Sequence, residues 1–247
     1  MQKPLSIIAV TAFIAFPWAI TDCAADKIYS PNVEYREISL EYNGSLSFDS
    51  NPDTDGLQES EVSLEAGLLP RLELEVTSAY SKFPGDAYRL EAHEVEGRLQ
   101  FFEPGARWLD SGILVAYEIS SQNRTPNSLE VKLLLQKDTG WFTSMANIGI
   151  NSSIGSYSED TGGPDYVFLW NTRYRYNTHF QPGLELQSDL GQIHQLGHFD
   201  EQEHFIGAAF YGKLFGHLEY QAAYLVGISA AAAQGIARLL VEYEFHY

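Results

Sequence analysis

From residue 33 to the C-terminus, apolar and polar side chains alternate in short runs separated by Gly, Pro, Asn and Asp. Neighbouring side chains of a strand point to opposite faces, so each run predicts a strand with one apolar and one polar face. About twelve such runs can be counted. The first extends from about Val33 to Phe48, setting Leu40, Tyr42, Leu46 and Phe48 against Glu41, Asn43, Ser45 and Ser47. In the third, Leu72, Leu74 and Val76 oppose Glu73, Glu75 and Thr77. The fourth slips phase between Ala92 and Val95, where a β-bulge is expected. The Ala-rich link Gly227–Gln234 is the one stretch that could instead form a helical turn.

The final run decides how these strands combine. Leu239, Val241, Tyr243, Phe245 and Tyr247 share one face, with Glu242, Glu244 and His246 on the other and Leu240 its only apolar member. An apolar strand at a sheet edge is an aggregation hazard unless it pairs with the first strand and closes a barrel. Two further observations agree with closure. Links after odd strands (Asp49–Gly56, Ser152–Asp165, Gln192–Glu203) exceed those after even strands (Pro70-Arg71, Lys137–Gly140, Lys213–Gly216), and the strand number is even. Aromatic residues gather near strand ends, Phe101, Trp108, Phe142 and Phe215 at one side and Phe48, Tyr80, Tyr88 and Tyr224 at the other. The terminal aromatic preceded by alternating apolar residues resembles the C-terminal signature of Gram-negative outer-membrane β-barrels. That resemblance implies an all-β, closed, antiparallel up-and-down transmembrane barrel with short periplasmic turns, longer external loops and both termini periplasmic. It also implies contact with outer-membrane lipid, and recognition of the last strand by the barrel-assembly machinery. The competing fold is a soluble exported β-sandwich or jelly roll, which would have no reason to end on an aromatic strand.

Composition sharpens this picture. The chain carries 15 Lys and Arg against 33 Asp and Glu, a formal charge of −18, which argues against nucleic-acid binding. A mean hydropathy of −0.20 excludes a bundle of transmembrane helices but not a barrel. Lys3, the apolar stretch from Leu5 to Ile20 and the small residues Cys23-Ala24-Ala25 predict an export signal over residues 1–25, leaving one domain over 26–247. Cys23 is the only cysteine, and Asp22 directly before it disfavours lipidation. Cleavage after Ala25 leaves a chain without disulfides.

Candidate chemistry lies mainly on the polar faces. In a closed barrel, Glu61, Glu65, Glu73, Glu75, Glu94 and Glu96 share a patch of inner wall. Glu41, Glu130, Glu185, Glu219, Glu242 and Glu244 extend it, and Arg98, Lys132, Arg173 and Arg175 are the inward cations. Carboxylates lining a lumen attract positive solutes; the plainer reading is that the charges pair and fill it. The excess of acids favours a wet lumen. A second candidate is the loop holding His194, His198, Asp200 and His204, donors suited to a divalent metal, although solvated loop residues are the ordinary reading. The stretch Asn51-Pro52-Asp53-Thr54-Asp55-Gly56 has oxygen donors like a Ca²⁺ loop, but Val62 stands where the closing Glu is required. No nucleophile, base and orienting group can be placed together. The sequence therefore predicts a non-enzymatic channel for small cationic or neutral solutes, without an organic cofactor. The alternatives are a non-conducting barrel whose acidic, His-rich loops bind metal or a surface partner, and a barrel hydrolase.

Overall fold

The computed structural model describes residues 26–158, 163–194 and 196–246. The proposed leader, with Cys23, and Tyr247 lie outside them. Twelve antiparallel strands close on themselves, each paired with its sequence neighbours and β1 with β12. They are β1 (Glu37–Phe48), β2 (Gln58–Leu69), β3 (Leu72–Lys82), β4 (Arg89–Gln100), β5 (Asp110–Ser120), β6 (Asn127–Thr139), β7 (Phe142–Ile154), β8 (Asp165–Tyr174), β9 (Gln181–Gln192), β10 (Glu203–Leu214), β11 (Leu218–Gly227) and β12 (Gly235–His246). The seam is a full ladder from Glu37↔His246 to Phe48↔Gly235, so no strand edge is left open.

Period two sorts the side chains as the sequence requires. Leu40, Leu64 and Val76 are 51 %, 56 % and 54 % exposed on the outer wall, continuous with Val95, Val115, Val131, Ile148, Leu184 and Leu239. A water-soluble surface does not carry an apolar band of this extent; a hydrocarbon-facing one does. Aromatics cluster at the rims: Phe142, Tyr174 and Tyr176 pack together at one end, and Phe48 packs on Tyr224 at the other.

Links after odd strands span 49–57, 83–88, 121–126, 155–164, 193–202 and 228–234; those after even strands span 70–71, 101–109, 140–141, 175–180 and 215–217. The expected asymmetry holds at 70–71, 140–141 and 215–217, whereas 175–180 only matches the shortest odd links and 101–109 is as long as 49–57. The anticipated bulge occurs slightly earlier, where Ala79↔Ala92 is followed by Tyr80↔Leu90 and Glu91 is the extra residue. Link 228–234 contains bends and no helical turn, and Ala233 packs inside against Leu225 and Ile236.

One correction concerns the start. The first strand begins at Glu37, not near Val33. A turn at residues 34–37, with Arg36 in the left-handed region (φ 67°) and its N–H donating to Gly67 O at 3.0 Å, reverses the chain at the turn end of the barrel. Residues 26–33 consequently lie inside.

The outer wall generates a stability prediction. Val131→Arg, placed mid-strand on the apolar band, should lower unfolding stability in lipid vesicles by about 2–4 kcal/mol, whereas Tyr88→Arg near the rim should cost about 0–1 kcal/mol. Denaturant titration of both variants checks this; equal effects would contradict a lipid-facing band.

Candidate functional site

Closure of the twelve strands encloses a lumen whose wall has two characters. Across β2, β3 and β4 the inward residues Glu65, Glu75 and Glu96 stand directly opposite one another. Glu41 adds a fourth carboxylate from β1, facing Glu242 of β12, which in turn faces Glu219 of β11. Like charges directly opposite are unfavourable. Across β5 to β8 the wall instead offers Leu114, Ala116, Leu134, Met145 and Leu169.

Residues 26–33 run between these walls as an extended segment without a neighbouring strand. Buried main-chain groups must find partners elsewhere, and inward-pointing amides supply them. Tyr29 N–H donates to Asn147 Oδ1 at 2.8 Å while Asn147 Nδ2 donates to Tyr29 O at 2.9 Å. Gln187 holds Asp26 in the same two-sided way, at 3.1 and 3.0 Å. Val33 N–H donates to Gln100 Oε1 at 2.8 Å, and Arg98 Nη1 donates to Ser30 O at 3.0 Å. Two glycines make room for the chain. A Cβ at Gly67 would lie 2.0 Å from Glu34 O, and one at Gly112 would lie 3.3 Å from Pro31 Cβ.

Side chains of the segment match the walls they meet. Lys27 Nζ lies 2.9 Å from Glu41, 3.4 Å from Glu65 and 3.5 Å from Glu75. Ile28 packs with Met145 and Leu169, and Tyr29 with Leu114, Ala116 and Leu134. The Tyr29 ring also sits between Lys27, Arg98 and Lys132, at 4.9, 5.8 and 5.6 Å from its centroid. These distances fall within the range of cation–π attraction. Arg98 pairs with Glu65 at 2.8 Å and also contacts Glu73; Lys132 pairs with Glu130 at 2.7 Å.

On the far side Arg238 and Glu185 form an ion pair at 2.7 Å, 1 % and 0 % exposed at their side chains. Arg238 also donates to Asp26 O, and Tyr211 Oη donates to Glu185 at 3.1 Å. Such a pair is tolerable in a buried site because its remaining hydrogen-bonding capacity is used. At the turn end a cavity of about 120 Å³ remains, lined by Arg173, Tyr211, Lys213 and Glu219 among others.

The predicted lining residues fall on the inner wall or its rim. Glu61 accepts from Asn43 Nδ2 at 2.9 Å, and Glu94 stands opposite Glu118. Glu219 and Glu244 share Lys213. Arg175 lies just beyond β8 at the turn end, paired with Asp138 at 2.9 Å. The excess of acids favoured a wet lumen over one filled by paired charges; residues 26–33 run through it, with Lys27 among the acids. Sequence reasoning missed Lys27, Asn147, Gln187, Lys213 and Arg238. Arg238 was accessible, since it shares the phase of Leu240, Glu242 and Glu244.

The four proposed metal ligands are not gathered. His204 lies on the outer face, bonded to Ser188 at 2.9 Å and stacked on Phe199 at 4.3 Å, whereas His198 precedes the 3-10 turn Phe199–Glu201. Period two turns His204 away from the lumen, and Gly197 with the 3-10 turn holds His194 and His198 on a non-helical path. Among the described residues, three donor groups approach within 4.8 Å of one another at Glu37, Glu242 and Glu244 and at Glu34, Glu37 and His246, all at the turn end of the seam.

Comparison with known proteins supports the architecture. No family model matches the chain, and no curated protein matches it. Among solved structures, an outer membrane channel from Pseudomonas putida F1 superposes with a TM-score of 0.62 at 13 % identity, covering 90 % of this chain and 99 % of that one. The KdgM porin in complex with disordered oligogalacturonate gives 0.60 at 11 %, covering 84 % and 99 %, and the NanC porin 0.56 at 10 %, covering 83 % and 98 %. At these identities the likeness concerns the fold. The chain shares with these proteins a closed barrel fold.

The amide clamp on Tyr29 can be tested directly. Asn147→Leu keeps the side-chain size but removes both hydrogen bonds, so exchange of the amides at 28–30 should accelerate by about ten- to a hundredfold. Hydrogen-exchange mass spectrometry reads this, and unchanged rates would remove Asn147 as an anchor.

Proposed function

We propose that this chain is an outer-membrane channel for small cationic or neutral solutes, held closed by residues 26–33. The observation that carries the reading is the seating of Lys27 among Glu41, Glu65 and Glu75. The wall is acidic enough to require a countercharge, and the element that blocks the lumen brings one. When the segment withdraws, those carboxylates become hydrated and raise the local concentration of cations. The fold shared with porins and channels supports transport over catalysis. The KdgM structure holds oligogalacturonate, a chain of acidic sugars; the opposed row of Glu65, Glu75 and Glu96 disfavours that class here.

The reading includes export by the leader 1–25, periplasmic termini and delivery to the assembly machinery through Leu239, Val241, Tyr243, Phe245 and Tyr247. Cleavage after Ala25 would place the new terminus at Asp26, within the lumen between Gln187 and Arg238. The segment could then withdraw toward the turn end by pivoting at residues 34–37 without threading a long tail.

Planar-bilayer recording tests the proposal. The full chain should conduct weakly, and removal of residues 26–33 should raise conductance. Reversal potentials in a salt gradient should show cation preference of about tenfold, falling as salt screens the lumen. Silent bilayers for both forms, or anion preference in the shortened one, would overturn it.

A further inference from the structure

The place taken by the Lys27 ammonium is itself shaped as a binding site. Three carboxylates from three strands converge on one nitrogen, from β1, β2 and β3. Their spacing suits a singly charged nitrogen with several N–H donors. Glu41, Glu65 and Glu75 are not among the sets whose oxygens come within 4.8 Å of one another, whereas calcium holds its oxygens at about 2.3–2.6 Å. A compact divalent ion would therefore leave at least one carboxylate unengaged, while an ammonium donates one hydrogen to each.

The wall also provides more negative charge than Lys27 uses. Glu96, 4 % exposed, stands directly opposite Glu75. Among the described residues it has neither a hydrogen bond nor an ion pair. The cations near it, Lys27 and Lys132, are held by other carboxylates, so a second positive charge brought beside the cluster would gain Glu96 as its partner. Beside it, β5 pairs Ala116 with Glu96, and the adjoining Leu114, Leu134 and Leu169 receive apolar groups, as they receive Ile28 and Tyr29.

We infer that the carboxylates of Glu41, Glu65, Glu75 and Glu96 form a binding site for primary alkylammonium solutes, that linear diamines are its preferred ligands, and that Lys27 is its built-in competitor. The inference deepens the channel reading and rests on it for its physiological meaning, though binding itself does not require conduction. A methylated quaternary ammonium lacks the N–H donors and is a poor ligand.

The experiment uses the full chain with Lys27→Ala, which removes the ammonium and the three methylenes that carry it. Folding of the variant is checked by its heat-dependent gel mobility. Titration calorimetry in detergent should show n-butylammonium binding Lys27→Ala about tenfold more tightly than wild type, a difference of about 1.4 kcal/mol. 1,5-Diaminopentane should bind more tightly still. Glu75→Gln in the same background should abolish the gain, and tetramethylammonium should show none. Equal binding to wild type and Lys27→Ala, or tetramethylammonium binding as well as n-butylammonium, would overturn the inference.

A second arm keeps Lys27 in place. In wild-type protein, rising 1,5-diaminopentane should compete for the carboxylates and accelerate hydrogen exchange at residues 26–33, saturably, with no response in Glu75→Gln. Absence of that response in wild type counts against the site. Because neither arm measures current, a channel that fails to conduct but binds diamines would sink the transport reading alone.

Discussion

The molecule is organised by the need of buried carboxylates for compensation. Closing the sheet places Glu65, Glu75 and Glu96 in one row across three strands, with Glu41 and Glu242 meeting at the seam. The barrel wall is of low dielectric and its outer face is apolar, so repulsion within the row is weakly screened. Either water enters and hydrates the acids, or cations are brought to them. Arg98 serves Glu65 and Glu73 from within the sheet. Lys27 does so from outside the sheet, and in doing so excludes the water that would otherwise be required. Occlusion and charge compensation are thus one event.

Holding an extended strand in a lumen poses a second problem, because a strand without a neighbour leaves its main chain unsatisfied. The solution is to aim amide side chains at it. Asn147 and Gln187 each supply a donor and an acceptor to a single residue, imitating the exchange that a neighbouring strand would make. Such clamps are few, and the intervening residues rely on packing and on Arg98 and Arg238. The segment is therefore anchored at discrete points, unlike the continuous ladders of the wall.

The architecture was legible because a transmembrane barrel enforces period two on both faces. The apolar set Leu239, Val241, Tyr243 and Phe245 and the acidic pair Glu242 and Glu244 could only be satisfied together by pairing with β1, and Glu41 does stand opposite Glu242. The interior was less legible. Lys27, Ile28 and Tyr29 differ in polarity from residue to residue, as any strand would, and nothing local distinguishes a segment in the wall from one in the lumen. Pro31 was the available sign, since proline is unsuited to a central strand. The inward leucines at 114, 134 and 169 were likewise hidden, because neighbouring outward residues are equally apolar and pattern alone does not say that the lumen needs them. The histidine loop failed for another reason: convergence of His194, His198 and His204 is set by how the loop folds over β9 and β10, which spacing does not determine.

The contrast between the two walls gives the lumen a polarity of its own. Carboxylates crowd β1 to β4, whereas β5 to β8 set Leu114, Ala116, Leu134, Met145 and Leu169 beside Lys132, Glu130 and Asn147, so a solute in the centre meets both charge and hydrocarbon. A bare inorganic ion uses only the first, and an uncharged apolar molecule only the second. The sequence Lys27-Ile28-Tyr29 uses both, with its ammonium to the acids and its apolar side chains to the opposite wall. Because the segment fits the cavity from within the same chain, it serves as a cast of the cavity's preferences: cationic at one point, apolar beside it, and narrow enough for an extended chain. A lumen built this way favours solutes by the arrangement of charge and hydrocarbon within them, more than by net charge alone.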